Sequence, residues 1–318
     1  MMIEATQPKN TLSPAELGRV GVLYGGVSPE RAVSLQSGQA VFDGLAEIGV
    51  DAVLIDIGEE PMAQLQSSQI DAAFVALHGV GGEDGTIQAI LEAMGTPYTG
   101  SGVASSALAI DKYRTKQMWQ AMGFPTATYQ LLSEHSDWSA VMAQLGGKAM
   151  VKPVREGSSL GMNIAESAAQ LEQAYSKAIE HGSVVIAERW LAGREFTVGV
   201  LGEVALPVIE LRTQEAFYNY EAKYISDETQ FICPAPLDEI EYRNMQELAM
   251  DAFFSLGCRG WGRVDLMLAE DGKPHLLEVN TSPGMTSHSL LPLAALEAGV
   301  NFSELVLQIT QIAVGKSR

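Results

Sequence analysis

GRVDLMLAEDGKPHLLEVN, residues 262–280, is the stretch from which the fold can be read. Two apolar runs flank Asp271-Gly272, the dipeptide favoured in two-residue type I′ hairpin turns. With that dipeptide as the loop, residue 270 pairs with 273 and 268 with 275, and the same register sets Asp265 opposite Glu278 and Arg263 opposite Asn280. Strand side chains alternate, so these four project from one face. Two carboxylates facing each other repel unless a cation lies between them. Hard oxygen donors at this density suit Mg²⁺, which takes one or two carboxylates and completes its shell with phosphate oxygens and water. The plainer alternative is an acidic cross-strand edge with a surface arginine.

Upstream, the apolar run Lys148–Val154 reads as a strand carrying Lys152, and REGSSLG (155–161) follows it. Such a loop can lay successive N–H groups along a polyphosphate while Lys152 adds a point charge. Gly157-Ser158-Ser159-Leu160-Gly161 also fits the nucleophile elbow of serine hydrolases, with Ser159 as nucleophile and Asp265 and His288 following in suitable order. An elbow turns straight from strand into helix, whereas Arg155-Glu156 intervene here and Asn163-Ile164-Ala165 reads as extended. A P-loop is absent: Gly315-Lys316-Ser317 resembles its end, but Thr310 stands where the first glycine belongs.

The first hundred residues alternate strand and helix patterns. Arg19–Tyr24, a helix from Glu30 to Ile48, and Asp51–Ile57 form a βαβ unit, and Ala72–Leu77 adds a strand before the glycine-rich loop His78–Gly85 and the helix Thr86–Met94. The expected fold is thus α/β followed by α+β. Residues 1–99 make a parallel-sheet unit, 100–187 a small α+β unit and 188–318 a second one built on the hairpin. Neither Gly25-Gly26 nor Gly79–Gly85 reads as a dinucleotide fingerprint. The connection Thr213–Cys233 is long and rich in tyrosine, which fits a lid; a plain surface excursion is the alternative.

The chain has 318 residues, a hydrophobic fraction of 47% and a net charge of −19. That charge argues against general affinity for nucleic acid or anionic membrane, and it obliges any polyphosphate site to be built locally. Cys233 and Cys258 form no Cys-x-x-Cys pair and read as reduced thiols. No leader pattern or apolar run of membrane-spanning length is present, so a cytoplasmic protein with no membrane partner is expected.

Taken together, GGVSPERAVSL (25–35), ALHGVGGEDGTIQ (76–88), DKYRTK (111–116), VKPVREGSSLGM (151–162), EFTVGVL (195–201), YEAKY (220–224), CPAPL (233–237), GWGRVDLML (260–268) and LLEVNTSPGMTSHSLLP (276–292) resemble the ATP-grasp enzymes, and within them the D-alanine–D-alanine ligases. The resemblance covers nearly the whole chain. It implies a Rossmann-like N-terminal domain followed by a two-part ATP-grasp domain, with ATP and two Mg²⁺ (Mn²⁺ as the alternative ion) between the two parts. It implies that Lys112, Lys152 and Lys223 meet ATP phosphates, that Ser158 and Ser159 belong to the loop closing over them, and that Glu188, Trp190 and Leu191 hold adenine and Glu195 the ribose. Asp265, Glu278 and Asn280 match the metal ligands.

Glu30 matches the group that receives the ammonium of the first D-alanine. Arg263 and the Gly284 N–H match the oxyanion site, while Ser289 and the Leu290 N–H match the carboxylate site of the second D-alanine. Independently, Ser289 is suited to cap the helix that follows, with Pro292 tolerated in its first turn. His78 is placed among the substrate-binding residues; a loop histidine binds or packs more often than it transfers a proton. In the family, Tyr224 of the lid bonds to Ser158, which meets Glu30. A homodimer is the implied assembly. Departures fall at Val154, Ala32 and Val80, where Ser, Glu and Arg are usual. A D-alanine–D-lactate ligase shares the activation step, but YEAKY favours the dipeptide. A regulatory module without turnover would have lost the metal ligands.

Overall fold

The computed structural model describes residues 12–157, 160–213, 229–270 and 272–315. Its first unit runs β1 (Arg19–Gly25), α1 (Arg31–Glu47), β2 (Asp51–Ile57), α2 (Pro61–Ser68), β3 (Ala72–Val75) and α3 (Thr86–Met94). The strands form a parallel sheet in the order β2-β1-β3, with Val20 paired to Ala52 on one side and Ala72 on the other. A central parallel strand is covered on both faces, which is why β1 is a nearly continuous apolar run. Gly25 ends it at φ +82, where a Cβ would run into the paired side chains of Arg31 and Asp56.

The chain continues through α4 (Val103–Ala109), α5 (Lys112–Ala121), β4 (Tyr129–Leu132), α6 (Trp138–Gln144), β5 (Ala149–Pro153), β6 (Asn163–Ala165), α7 (Ala168–Ala178) and β7 (Val185–Arg189). The Asp111 carboxylate caps α5 by accepting the Arg114 N–H at 3.0 Å. These strands make an antiparallel sheet in the order β4-β7-β5-β6. β4 and α6 lie outside the sequence expectation.

The last unit holds β8 (Gly193–Leu201), β9 (Val204–Ala205), β10 (Ile209–Arg212), β11 (Gln230–Ile232), α8 (Glu239–Ser255), β12 (Trp261–Ala269), β13 (Pro274–Asn280), α9 (Leu290–Glu297) and α10 (Phe302–Gly315). Its sheet runs β11-β10-β8-β12-β13, with β9 beside β8. Asp238 and Glu241 form a capping box at the start of α8. Two apolar cores cross the sequence blocks. Leu305, Val306 and Ile309 of α10 pack on Val20, Val22 and Phe74, while Trp119 of α5 packs with Phe253 of α8 and Val264 of β12. Among the described residues no single helix is long and apolar enough to cross a membrane.

The hairpin β12–β13 corrects the expected register near its turn. Ala269 N–H donates to Lys273 O at 3.0 Å and Gly272 N–H to Ala269 O at 2.9 Å, so the loop is residues 270–272, with Gly272 at φ +73. Asp271 itself lies outside the described residues. Leu268 consequently pairs with Pro274 and Leu266 with Leu276, one residue away from a two-residue turn. The register then shifts between Asp265 and Leu266, leaving Leu277 as an extra residue in β13. Asp265 therefore does face Glu278, and Arg263 faces Asn280.

Candidate active site

A cavity of about 540 Å³ is lined by both antiparallel sheets: β5 and β7 on one side, β8, β10, β12 and β13 on the other. Lys112, Lys152, Glu188, Trp190, Leu191, Glu195, Arg263, Asp265, Glu278 and Leu290 all border it.

The β12–β13 side carries the carboxylates. Arg263 grips Asp265 with Nε and Nη2, each 2.8 Å from a carboxylate oxygen. Asn280 Nδ2 donates to Asp265 at 3.0 Å, and Thr197 Oγ1, opposite it on β8, donates at 2.6 Å. Glu278 lies 3.1 Å from Lys112 Nζ. The like-charge problem posed by the sequence is thus met by one guanidinium and one ammonium. Among the described residues no cluster of three or more His, Cys, Asp or Glu side chains is gathered for a metal. Two carboxylates and a carboxamide beside a cavity with room for phosphate oxygens and water are nevertheless what Mg²⁺ takes, so the donor set fits that ion.

The opposite wall carries a buried charge chain. Lys152 Nζ lies 2.8 Å from Glu188 Oε1, and Lys116 Nζ lies 3.3 Å from Glu188 Oε2 while donating to Thr126 Oγ1 at 2.7 Å. Burial alone would raise the Glu188 carboxyl, but Lys116 and Lys152 outweigh it and leave Glu188 below its ordinary range. Burial pushes the Lys116 ammonium down to about 8 against the pull of Glu188. Burial likewise opposes the charge of Lys112, yet Glu278 and then Glu188 and Glu30 hold it above its ordinary value. Lys116 was not singled out in the sequence, although its signal was present: it lies four residues after Lys112 and so on the same face of α5. Thr197 likewise follows Glu195 by two and shares its strand face.

Beyond the cavity, Glu30 sits at the start of α1 with its carboxylate between two glycines. A Cβ at Gly79 would come within 2.7 Å of Glu30 Oε2, and one at Gly157 within 2.6 Å. Gly157 also borders the cavity, which connects Glu30 to it. His78 is buried with Nδ1 2.9 Å from Ser282 O and Nε2 3.0 Å from Ser37 Oγ. Burial lowers its pKa and favours the neutral ring. Both ring nitrogens are therefore engaged within the protein.

Ser289 occupies the N-cap position of α9 but does not cap it. Its hydroxyl turns back instead to accept the Thr286 N–H at 2.8 Å. Gly284 adjoins it, since a Cβ there would lie 2.9 Å from Ser289 Oγ. Ser158, Ser159, Lys223 and Tyr224 lie outside the described residues. Asp265 is held by Arg263, Asn280 and Thr197, and Asn163–Ala165 is a strand, so the surroundings of a hydrolase elbow are not reproduced.

Comparison with known proteins gives a consistent result. The model of the D-ala D-ala ligase C-terminus matches residues 118–311, and that of the D-ala D-ala ligase N-terminus matches 59–101. The D-alanine–D-alanine ligase of Saccharophagus degradans is 52% identical over 93% of this chain and 94% of its own. That of Pseudomonas putida is 50% identical over 94% of each. The crystal structure of the D-alanine–D-alanine ligase from Bacillus anthracis superposes with a TM-score of 0.85 at 33% identity, covering 94% of this chain and 98% of that one. The same ligase complexed with ATP gives 0.82 at 31% identity, with the same coverage. With half of its residues identical to these relatives along nearly its full length, and their fold reproduced, the chain belongs to the D-alanine–D-alanine ligases.

Proposed function

We propose that this chain joins two D-alanines into D-alanyl-D-alanine at the cost of one ATP, supplying a precursor for peptidoglycan. The observation that carries the reading is that Lys112, Lys152 and Arg263 meet Asp265 and Glu278 in one cavity, in a chain half identical to D-alanine–D-alanine ligases.

A free carboxylate has no leaving group, so it must be activated before an amine attacks it. The γ-phosphoryl of ATP passes to a carboxylate oxygen of the first D-alanine, releasing ADP, with Lys112, Lys152 and Arg263 spreading the charge on the transferring group. Asp265, Glu278 and Asn280 would hold Mg²⁺, two ions with Mn²⁺ as the alternative, whose charge neutralises the phosphate oxygens. Glu30 receives the ammonium of the first D-alanine. The amine of the second D-alanine, oriented through its carboxylate by Ser289 and the Leu290 N–H, then attacks the acyl carbon. Arg263 and the Gly284 N–H steady the oxyanion, phosphate leaves, and the amine gives up a proton. Glu188, Trp190 and Leu191 take the adenine and Glu195 the ribose. The Trp190 N–H is already bonded to Lys148 O at 3.0 Å, which leaves its carbonyl for the base. The segments with Ser158, Ser159, Lys223 and Tyr224 close over the acyl-phosphate and exclude water.

Three sheets in three blocks of sequence support units at 1–99, 100–187 and 188–318, although β7 runs on to Arg189. The net charge of −19 supports an enzyme acting on small molecules, without nucleic-acid or membrane partners, and the ligase reading carries with it a cytoplasmic location and a homodimer. ADP release with D-alanine, L-alanine and D-lactate added separately tests the reading: D-alanine alone should support turnover.

A further inference from the structure

The site described above gives no role to a half-buried carboxyl that spans two loops. Glu83 lies in the loop between β3 and α3. Its Oε2 accepts the Gly79 N–H at 2.9 Å, and its Oε1 accepts the Ser282 N–H at 3.1 Å across to the loop that follows β13. Burial, and then the charge of Glu30, push this carboxyl up to about 8, so the group is kept in a place that disfavours its charge. The two backbone N–H groups are what favour that charge.

The partners matter more than the carboxyl itself. Ser282 is held by the N-terminal unit through each of its polar groups: its N–H by Glu83, its carbonyl by His78 Nδ1 at 2.9 Å, and its hydroxyl by Val75 O at 3.2 Å. Two residues further on is Gly284, the proposed oxyanion donor. At the other end of Glu83, Gly79 lies against Glu30, the proposed ammonium site. One side chain therefore ties the wall that receives the amino end of the first D-alanine to the loop that receives its carboxyl end.

We propose that Glu83 is a positioning residue that sets the spacing between Glu30 and the Gly284 N–H by bridging Gly79 and Ser282. The proposal rests on the ligase reading for its kinetic consequence but not for its structural one. A glutamine keeps the shape of Glu83 but offers one acceptor and one NH₂, so it can serve only one of the two N–H groups and sets a donor against the other.

The experiment uses the full chain with Glu83→Gln. Amide-hydrogen exchange, read without ligands, should accelerate at residues 281–285 by at least about tenfold and stay unchanged in β13. In steady-state assays kcat should fall by at least about tenfold and the KM for the first D-alanine should rise, with the KM for ATP within about twofold. Unchanged exchange at 281–285 would overturn the proposal, as would a kcat within about twofold of the wild type or parallel losses for ATP and D-alanine. Where Glu83→Gln does not fold, Glu83→Asp reads the same outcomes, because it keeps the carboxyl but its shorter arm cannot span both N–H groups. A wild type that makes no dipeptide would sink the ligase reading while the exchange result still decides the bridge.

Discussion

Asp265 faces Glu278 across β12 and β13 only because Leu277 is an extra residue in β13. Near the turn, Leu266 pairs with Leu276, and continuing that register would bring Glu278 opposite Val264, which is fully buried in the core behind the sheet. A one-residue slip sends a side chain to the other face, so the bulge is what puts the second carboxylate into the cavity.

Glu278→Gln, which keeps shape and register, should lower kcat by more than about a hundredfold while the melting temperature stays close to that of the wild type. Near-normal kcat at saturating Mg²⁺ in Glu278→Gln would make the hairpin purely structural.

Thr197→Val removes the 2.6 Å hydrogen bond to Asp265 without changing size. Asp265 keeps Arg263 and Asn280, so the protein should fold with a loss of about 1–3 kcal/mol. If Asp265 holds Mg²⁺, the Mg²⁺ concentration for half-maximal turnover should rise about 10–100-fold. A Mg²⁺ titration that overlays the wild type would remove Asp265 from the metal site.

Much of this was legible in the sequence because the signals were local. Thr86–Met94 begins and ends where its pattern and Gly95 say it should, and the face shared by Arg263, Asp265, Glu278 and Asn280 follows from alternation. That agreement was partly fortuitous in mechanism, since a longer loop and a bulge cancel. β4 escaped notice because Tyr129–Leu132 is four residues of an edge strand with only Leu132 buried, too short to show a period. Glu83 was hidden for another reason: its partner Ser282 is 199 residues away, and no spacing rule reaches that far; Lys116 shares a helix face with Lys112, but no spacing gives its partner Glu188, 72 residues on. Ser289 looked like a helix cap because its position invites one, but its hydroxyl takes an equally local partner on the other side, the N–H of Thr286 three residues back.

The acid side of the stability profile should report the Glu210 cluster. Hydrogen bonds from Arg194 at 2.7 and 3.0 Å, with Arg212 adding one at 2.8 Å, hold the Glu210 carboxyl below its ordinary 4.5 despite burial. As pH falls, the unfolded chain takes up this proton first. The contribution is therefore complete above the ordinary value and is lost as pH falls through the folded one. Arg194→Met should flatten that acid slope in urea midpoints measured between about pH 3 and 7, and cost about 1 kcal/mol at neutral pH after solvent screening of the partly exposed guanidinium. An unchanged slope would place the acid lability elsewhere.

The most direct measurement of the central claim is the product balance of the purified protein with ATP, Mg²⁺ and D-alanine, following ADP and dipeptide together. The account predicts one D-alanyl-D-alanine per ADP, and no ADP release above background with L-alanine or D-lactate in place of D-alanine. ADP formed without dipeptide, or dipeptide formed without ATP, would contradict it.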